Sequence, residues 1–320
     1  MCTTRSVRPT DLVALVSLDG RVYPNEARTW ERLGCAPEGP SLLDSALPPW
    51  FSFATGRHTW ISIQGQTIRG LVSARRRGNR TAWEVECLIA AAEDEHVVLD
   101  LFDRLTAGVG RAGALKIFLR IEAGSELLAP ARRAGFVPYA NEALLRLNGN
   151  VPVAGMPKGI TAHPWEEADA FALYQLYNAT VPEHVRRMEA ATFPQWQAAT
   201  EKRTSGRAKR DLVLRRNDEV VARIRSCRDG RMGRIDLAIH PALRQEAPAF
   251  VSLAIGAVGS LRPVLCLMPD YAGWLSSPLQ DAGFGVDGEY VVLVKRTAMP
   301  LGALEPRPVQ MPIPHPLAIG

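Results

Sequence analysis

The side chains able to do chemistry in this 320-residue chain fall into a few groups. The densest is basic and runs through Arg186-Arg187, Lys202-Arg203, Arg207, Lys209-Arg210 and Arg215-Arg216. Cations so spaced can hold a phosphate, an anionic substrate or a nucleic-acid backbone, or can form a solvated loop face. A second group is acidic: Glu84 and Glu86 in WEVECLIAAA (83–92), and Asp236 in GRIDLAIHPA (233–242). Each alternates with apolar neighbours, so on a strand each faces away from them, toward a cleft or an arginine partner. His240 stands beside Pro241, as local structure or as an active-site polar group. Tyr174 and Tyr177 share a helix face near Trp165, while Tyr271 and Tyr290 lie close to the C-terminal end.

Several chemistries are excluded by pattern. The chain holds no Ser-His-Asp order, no HExxH, no phosphate-binding GxxxxGK and no dinucleotide GxGxxG. Its 5 cysteines (Cys2, Cys35, Cys87, Cys227, Cys266) never form CxxC. No metal site is therefore expected, and the odd, scattered count points to a reducing compartment. Cys227 and Cys266 read as inert core thiols in apolar strands. No apolar run reaches the ~20 residues of a membrane span, and MCTTRSVRPTDLV lacks the pattern of a secretory signal. A cytoplasmic protein without membrane contact is expected. The net charge of +5 is modest, so nucleic acid is not an expected partner.

The elements that must position these groups come as a repeat. LKIFLRIEAGSELLAPARRAGFVPYANEALLRL (115–147) aligns with VLCLMPDYAGWLSSPLQDAGFGVDGEYVVLVKR (264–296), placing Ala134-Gly135-Phe136 on Ala282-Gly283-Phe284. WEVECLIAAA aligns with GRIDLAIHPA at nearly the same offset. Two matches at one spacing indicate a tandem duplication. Hydrophobic periodicity predicts hairpin strands 57–63 and 67–74, strand 82–91, helix 97–108, strand 115–121, helix 125–134 and strand 137–147. The second copy predicts strands 211–215, 219–226 and 233–239, helix 247–259, strand 263–268, helix 272–282 and strand 289–296. Helical regions 9–35 and 166–200 front the two copies. The expected organisation is an N-terminal domain over 1–147, a Gly/Pro-rich linker over 148–159, a C-terminal domain over 160–299 and a Pro-rich tail over 300–320.

These residues carry a family likeness. The opening VRPTDL (7–12), the hairpin, the acidic/apolar strand entering a helix, and the strand–helix–AGF–strand ending resemble the GNAT superfamily of acyl-CoA-dependent N-acyltransferases. The order occurs twice, so the chain up to about Met299 resembles a tandem pair of GNAT-like domains. The implied fold class is α/β, layered, with each domain a mixed, mostly antiparallel sheet flanked by helices.

The resemblance also implies a cosubstrate, acetyl-CoA or a related acyl-CoA, and an acceptor that is a small-molecule amine. Its signature Gln/Arg-x-x-Gly-x-Gly/Ala loop seats a pyrophosphate on free amides at a helix N-terminus. The second copy offers Arg244 at the basic position, but Gln245, Ala247 and Ala249 where glycines are usual, and Pro248 removes an amide. The first copy offers Glu93, Asp94 and Glu95, which repel phosphate and suit a helix's first turn. The cofactor site is accordingly expected in the second copy, at Leu237, Ala238, Ile239, Arg244, Gln245, Ala247 and Ala249. Asp236 is the candidate base. The family's tyrosine acid is replaced by Ala131 and Leu279, which leaves Tyr290, or Tyr271, as the substitute. The alternative is a catalytically inactive tandem GNAT-like protein that binds or scaffolds.

Overall fold

The computed structural model describes residues 2–6, 24–34, 56–65, 67–78, 81–90, 94–151, 155–202, 207–229 and 232–297. The VRPTDL opening, most of 9–35, Glu93 and the Pro-rich tail lie outside the described residues.

One half of the sequence supplies strands β1 (Thr3–Ser6), β2 (Arg57–Gln64), β3 (Thr67–Arg76), β4 (Ala82–Ala90), β5 (Lys116–Glu122) and β6 (Val137–Leu147), with helices α1 (Glu95–Arg111) and α2 (Leu128–Arg133). The other supplies β7 (Thr161–Pro164), β8 (Arg207–Arg216), β9 (Glu219–Asp229), β10 (Met232–Ile239), β11 (Val264–Pro269) and β12 (Gly285–Arg296). Its helices are α3 (Ala170–Thr180), α4 (Glu183–Glu189), α5 (Phe193–Lys202), α6 (Ala247–Val258) and α7 (Ser276–Asp281). The structure is a mixed α/β layer with a mostly antiparallel sheet, as the resemblance implied.

The repeat is visible in the backbone. Gly135 and Gly283 both adopt φ of 88°. This left-handed conformation, which suits glycine, ends α2 and α7 alike. Phe136 then donates its amide to Ala131, as Phe284 does to Leu279, and the two rings enter separate cores.

Among the described residues the strands join into one 12-stranded sheet in the order β1-β2-β3-β4-β5-β12-β6-β11-β10-β9-β8-β7. The order is the same from either end once the copies are interchanged. At the centre the terminal strands have traded places: β12 pairs antiparallel with β5, and β6 with β11, while β12 and β6 pair with each other. The exchange reaches the cores. Val291 and Leu293 of β12 are buried in the cluster beneath α1, and Leu145 and Leu147 of β6 in the cluster beneath α6. Neither core is built from one half of the sequence.

On the opposite sheet face, α3 and α5 cover β8–β10 with Leu173, Leu176 and Trp196. Two splits in the sheet matter for function. The parallel pair β4/β5 is joined only over Ala82–Glu84, and the parallel pair β10/β11 only over Gly233–Ile235. Beyond those three-residue contacts the strands diverge and leave a wedge in each half.

Candidate functional site

The first wedge is filled by the chain itself. The Glu26 amide donates to Leu88 O at 2.9 Å, and the Arg28 amide to Arg120 O at 2.9 Å, so 25–28 bridges β4 and β5 as an added strand would. Asn25 secures the entry: its Nδ2 donates to Glu86 O at 3.1 Å and its Oδ1 accepts the Leu88 amide at 2.9 Å. Ala27 passes through to the α1 core and is fully buried. The acidic residues at the start of α1 are paired, Asp94 with Arg69 and Glu95 with Arg133. Glu86 is 3% exposed and pairs with Arg57 at 2.9 Å, and Glu84 pairs with Arg75 at 3.1 Å. These carboxylates hold strands together.

The second wedge is open. A cavity of about 460 Å³ runs through it, lined by Asp236–Ile239 of β10 and Cys266–Pro269 of β11. Strand alternation explains its two ends. Ile235 and Ile239 pack toward α6, and Ala238 packs toward α3 and α5, so the wedge connects both faces of the sheet. On the α6 side it meets Pro241, Arg244 and Trp274; on the other it meets Tyr177, Arg186 and Glu189. A second cavity of about 360 Å³ adjoins it, sharing Asp236, Tyr271 and Glu189. This one is walled by the other half of the sequence, through Arg75–Gly78, Arg120 and Glu142.

Asp236 therefore stands where the strands part, at the junction of two cavities. It forms an ion pair with Arg225, its cross-strand neighbour on β9. Leu237, Ala238 and Ile239 present the edge of β10 that β11 no longer covers. His240 is local structure: its Nδ1 accepts the Ala242 amide at 3.2 Å and caps a 3-10 turn, Pro241–Glu246.

The phosphate-loop positions are brought together only in part. Arg244 lines the cavity, is exposed, and lies over the Trp274 ring at 5.3 Å. Gln245 is exposed, Ala247 is fully buried in the α6 core, and Ala249 is half-buried; none of the three lines the cavity. The 3-10 turn explains this, since it tucks position 247 inward where an open glycine loop would leave it facing a ligand.

Tyr290, one of the two candidate acids, lies away from the wedge. It is 6% exposed, packed with Leu33, Leu144 and Leu265, and lines neither cavity. Burial, with Glu122 nearby, raises its phenol above the usual tyrosine range. The turn Asp270–Leu275 carries Tyr271 to the lining of both cavities. Ala131 and Leu279, at the family's tyrosine position, are core residues. Cys266 touches the wedge, yet burial pushes its thiol up to about 12 and keeps it protonated. Of the described part of the basic run, Arg186 lines the wedge, while Arg215 pairs with Asp169, Arg216 with Glu246 and Arg187 with Glu183.

The signal that sequence reading missed was Asn25-Glu26-Ala27-Arg28. Nothing in its composition marks it as a wedge filler. Trp30 and Glu31 were missed as well; their carbonyls accept from Arg234 of β10 at 3.1 and 2.8 Å, carrying this segment across to the other half.

No family model matches the chain, and no curated protein sequence matches it. Solved structures do match. The chain is similar to a GCN5-related N-acetyltransferase from Sphaerobacter thermophilus, with 16% identity, 92% of this chain and 95% of that one covered, and a TM-score of 0.55. It is also similar to a tandem GNAT protein from the clavulanic acid biosynthesis pathway, solved without AcCoA, with 12% identity, 93% and 99% covered, and a TM-score of 0.53. At such identities the likeness shows the fold alone, one shared with a tandem GNAT protein.

Proposed function

We propose that this chain, which folds as a tandem pair of GNAT units, transfers an acyl group from an acyl-CoA to an amine in the wedge between β10 and β11. One observation carries the reading. The same split between neighbouring parallel strands occurs twice, and among the described residues the first is bridged by 25–28 while the second lines a cavity.

An acyl-CoA supplies an activated thioester carbon when bound. The chain's part is to hold it and to manage protons. The uncovered edge of Leu237–Ile239 lies along the wedge and takes the extended arm and its carbonyl. On the α6 side, Arg244 faces the diphosphate, with its guanidinium steadied on the Trp274 plane. From the opposite face the amine enters beside Asp236. Asp236, held by Arg225, orients the amine and receives, directly or through a water, the proton shed as the C–N bond forms. Tyr271 donates a proton to the sulfur as the C–S bond breaks. The 460 Å³ of the wedge is within the size range of small-molecule sites, which begins at about 300 Å³.

Thermal denaturation with millimolar acetyl-CoA tests the reading. A ligand at 100 times its dissociation constant adds about 2.7 kcal/mol of stability, so a clear rise in Tm is expected, with thiol release once an accepted amine is added. An unmoved Tm overturns it and favours the alternative, a tandem GNAT fold that binds or scaffolds without acyl transfer.

A further inference from the structure

Among the described residues four arginines line the wedge, and their partners differ. Arg223 is held by Asp211 through two bonds, at 2.8 and 2.6 Å, and Arg225 is held by Asp236. Arg244 lies on the α6 side. Arg186 remains, on the amine side. Its Nη1 donates to Asn178 Oδ1 at 2.7 Å, and among the described residues it has no carboxylate partner. Its Nε is buried with no hydrogen-bond partner, and the side chain lines the cavity that reaches Asp236.

A guanidinium that lines a cavity with no carboxylate of its own is suited to an anion, which it binds through charge-assisted hydrogen bonds. Asn178 holds the group through Nη1 and so fixes its plane. Tyr177, beside Asn178, closes the same wall.

We infer that the acceptor is an amine that also carries a carboxylate, of the amino-acid type, and that Arg186 binds its carboxylate while Asp236 faces its amine. This rests on the acyl-transfer reading for the identity of the amine, but not for the anion pocket itself. Arg186 is then a specificity-determining residue and Asn178 a positioning residue. The first half contributes the far wall of the adjoining cavity.

Titration calorimetry tests this with the reaction's expected products and no acyl-CoA present. The probes are a set of N-acetyl-amino acids, each paired with the N-acetyl-amine that lacks the carboxylate. At least one acid is expected to bind tenfold or more tightly than its partner. Arg186→Ala should abolish that preference, Arg186→Lys should restore part of it, and neither should alter the acetyl-CoA shift in Tm. Asn178→Ala should reduce the preference by less than Arg186→Ala does. Equal binding of acids and amines, absence of binding by every acid, or a preference that survives Arg186→Ala overturns the inference. So does an Arg186→Ala variant that loses the acetyl-CoA shift and keeps the acid preference, since Arg186 would then serve the cofactor. Because acyl-CoA is measured separately, an unmoved Tm with acetyl-CoA alongside a selective anion pocket would overturn acyl transfer alone.

Discussion

The amide of Glu26 donates to the carbonyl of Leu88 at 2.9 Å, across a gap that is open at the corresponding place in the other half of the chain. That one bond, with Arg28 to Arg120 beside it, makes the two copies unequal. The duplicated strand β4 keeps its polar edge, but its bonding capacity is spent on the chain's own backbone.

One acyl-CoA should therefore bind per chain. Calorimetric titration is expected to give a stoichiometry of one, and a value of two would mean that 25–28 yields to ligand. Asn25→Ala removes acceptor and donor contacts to the Leu88 amide and the Glu86 carbonyl. It should cost about 1–3 kcal/mol of stability and leave acyl-CoA affinity unchanged.

On the proposed reading, Arg244 would carry binding that the missing glycines would otherwise have shared with the backbone. Charge-assisted bonds to phosphate contribute about 1.5–3 kcal/mol. Arg244→Ala should weaken acyl-CoA binding by roughly 10- to 100-fold, at about 1.4 kcal/mol per tenfold. Arg244→Lys should recover part of this, and folding stability should barely move, because the side chain is exposed. Unchanged affinity in the alanine variant would remove the loop from the phosphate site.

The proton-handling assignments separate by position. Asp236→Asn should lower kcat by about 100-fold or more, the usual scale for a general base, while acetyl-CoA still raises Tm. Tyr271→Phe should lower kcat and Tyr290→Phe should not, since Tyr290 lines neither cavity. A Tyr290→Phe variant with the larger kinetic defect would reverse the assignment.

Leu293 belongs by sequence to the second copy and by packing to the first core, where it is fully buried. Leu293→Ala should cost about 2–5 kcal/mol, the range for a buried leucine. The exchanged strands predict where the damage appears: amide exchange should accelerate first in α1 and β5, before α6. Loss of protection confined to the second-half helices would contradict the exchange.

The repeat was legible from residues alone because it is local. Alternation, helix periodicity and the two AGF turns depend on neighbours within a few positions, so strand 137–147 and the start of α6 at 247 were expected where they occur. The choice of the second copy for the cofactor site was expected from Arg244 against Glu93, Asp94 and Glu95, and the open second wedge supports it as a proposal. The two candidate acids could not be told apart by sequence. Tyr271 and Tyr290 look equivalent there, and only packing puts one in a cavity lining and the other among Leu33, Leu144 and Leu265.

What tertiary structure alone decided was pairing across long separations. Strand patterning says which face a residue uses and nothing about which edge it meets, so β12 beside β5 and β6 beside β11 could not be read from periodicity. Backbone groups bond any backbone partner equally well, which is why Asn25–Arg28 left no mark in the sequence as the segment that closes one wedge. The residue types fixed what chemistry was available. The exchange of strands and the filling of one gap fixed where in the molecule that chemistry has room.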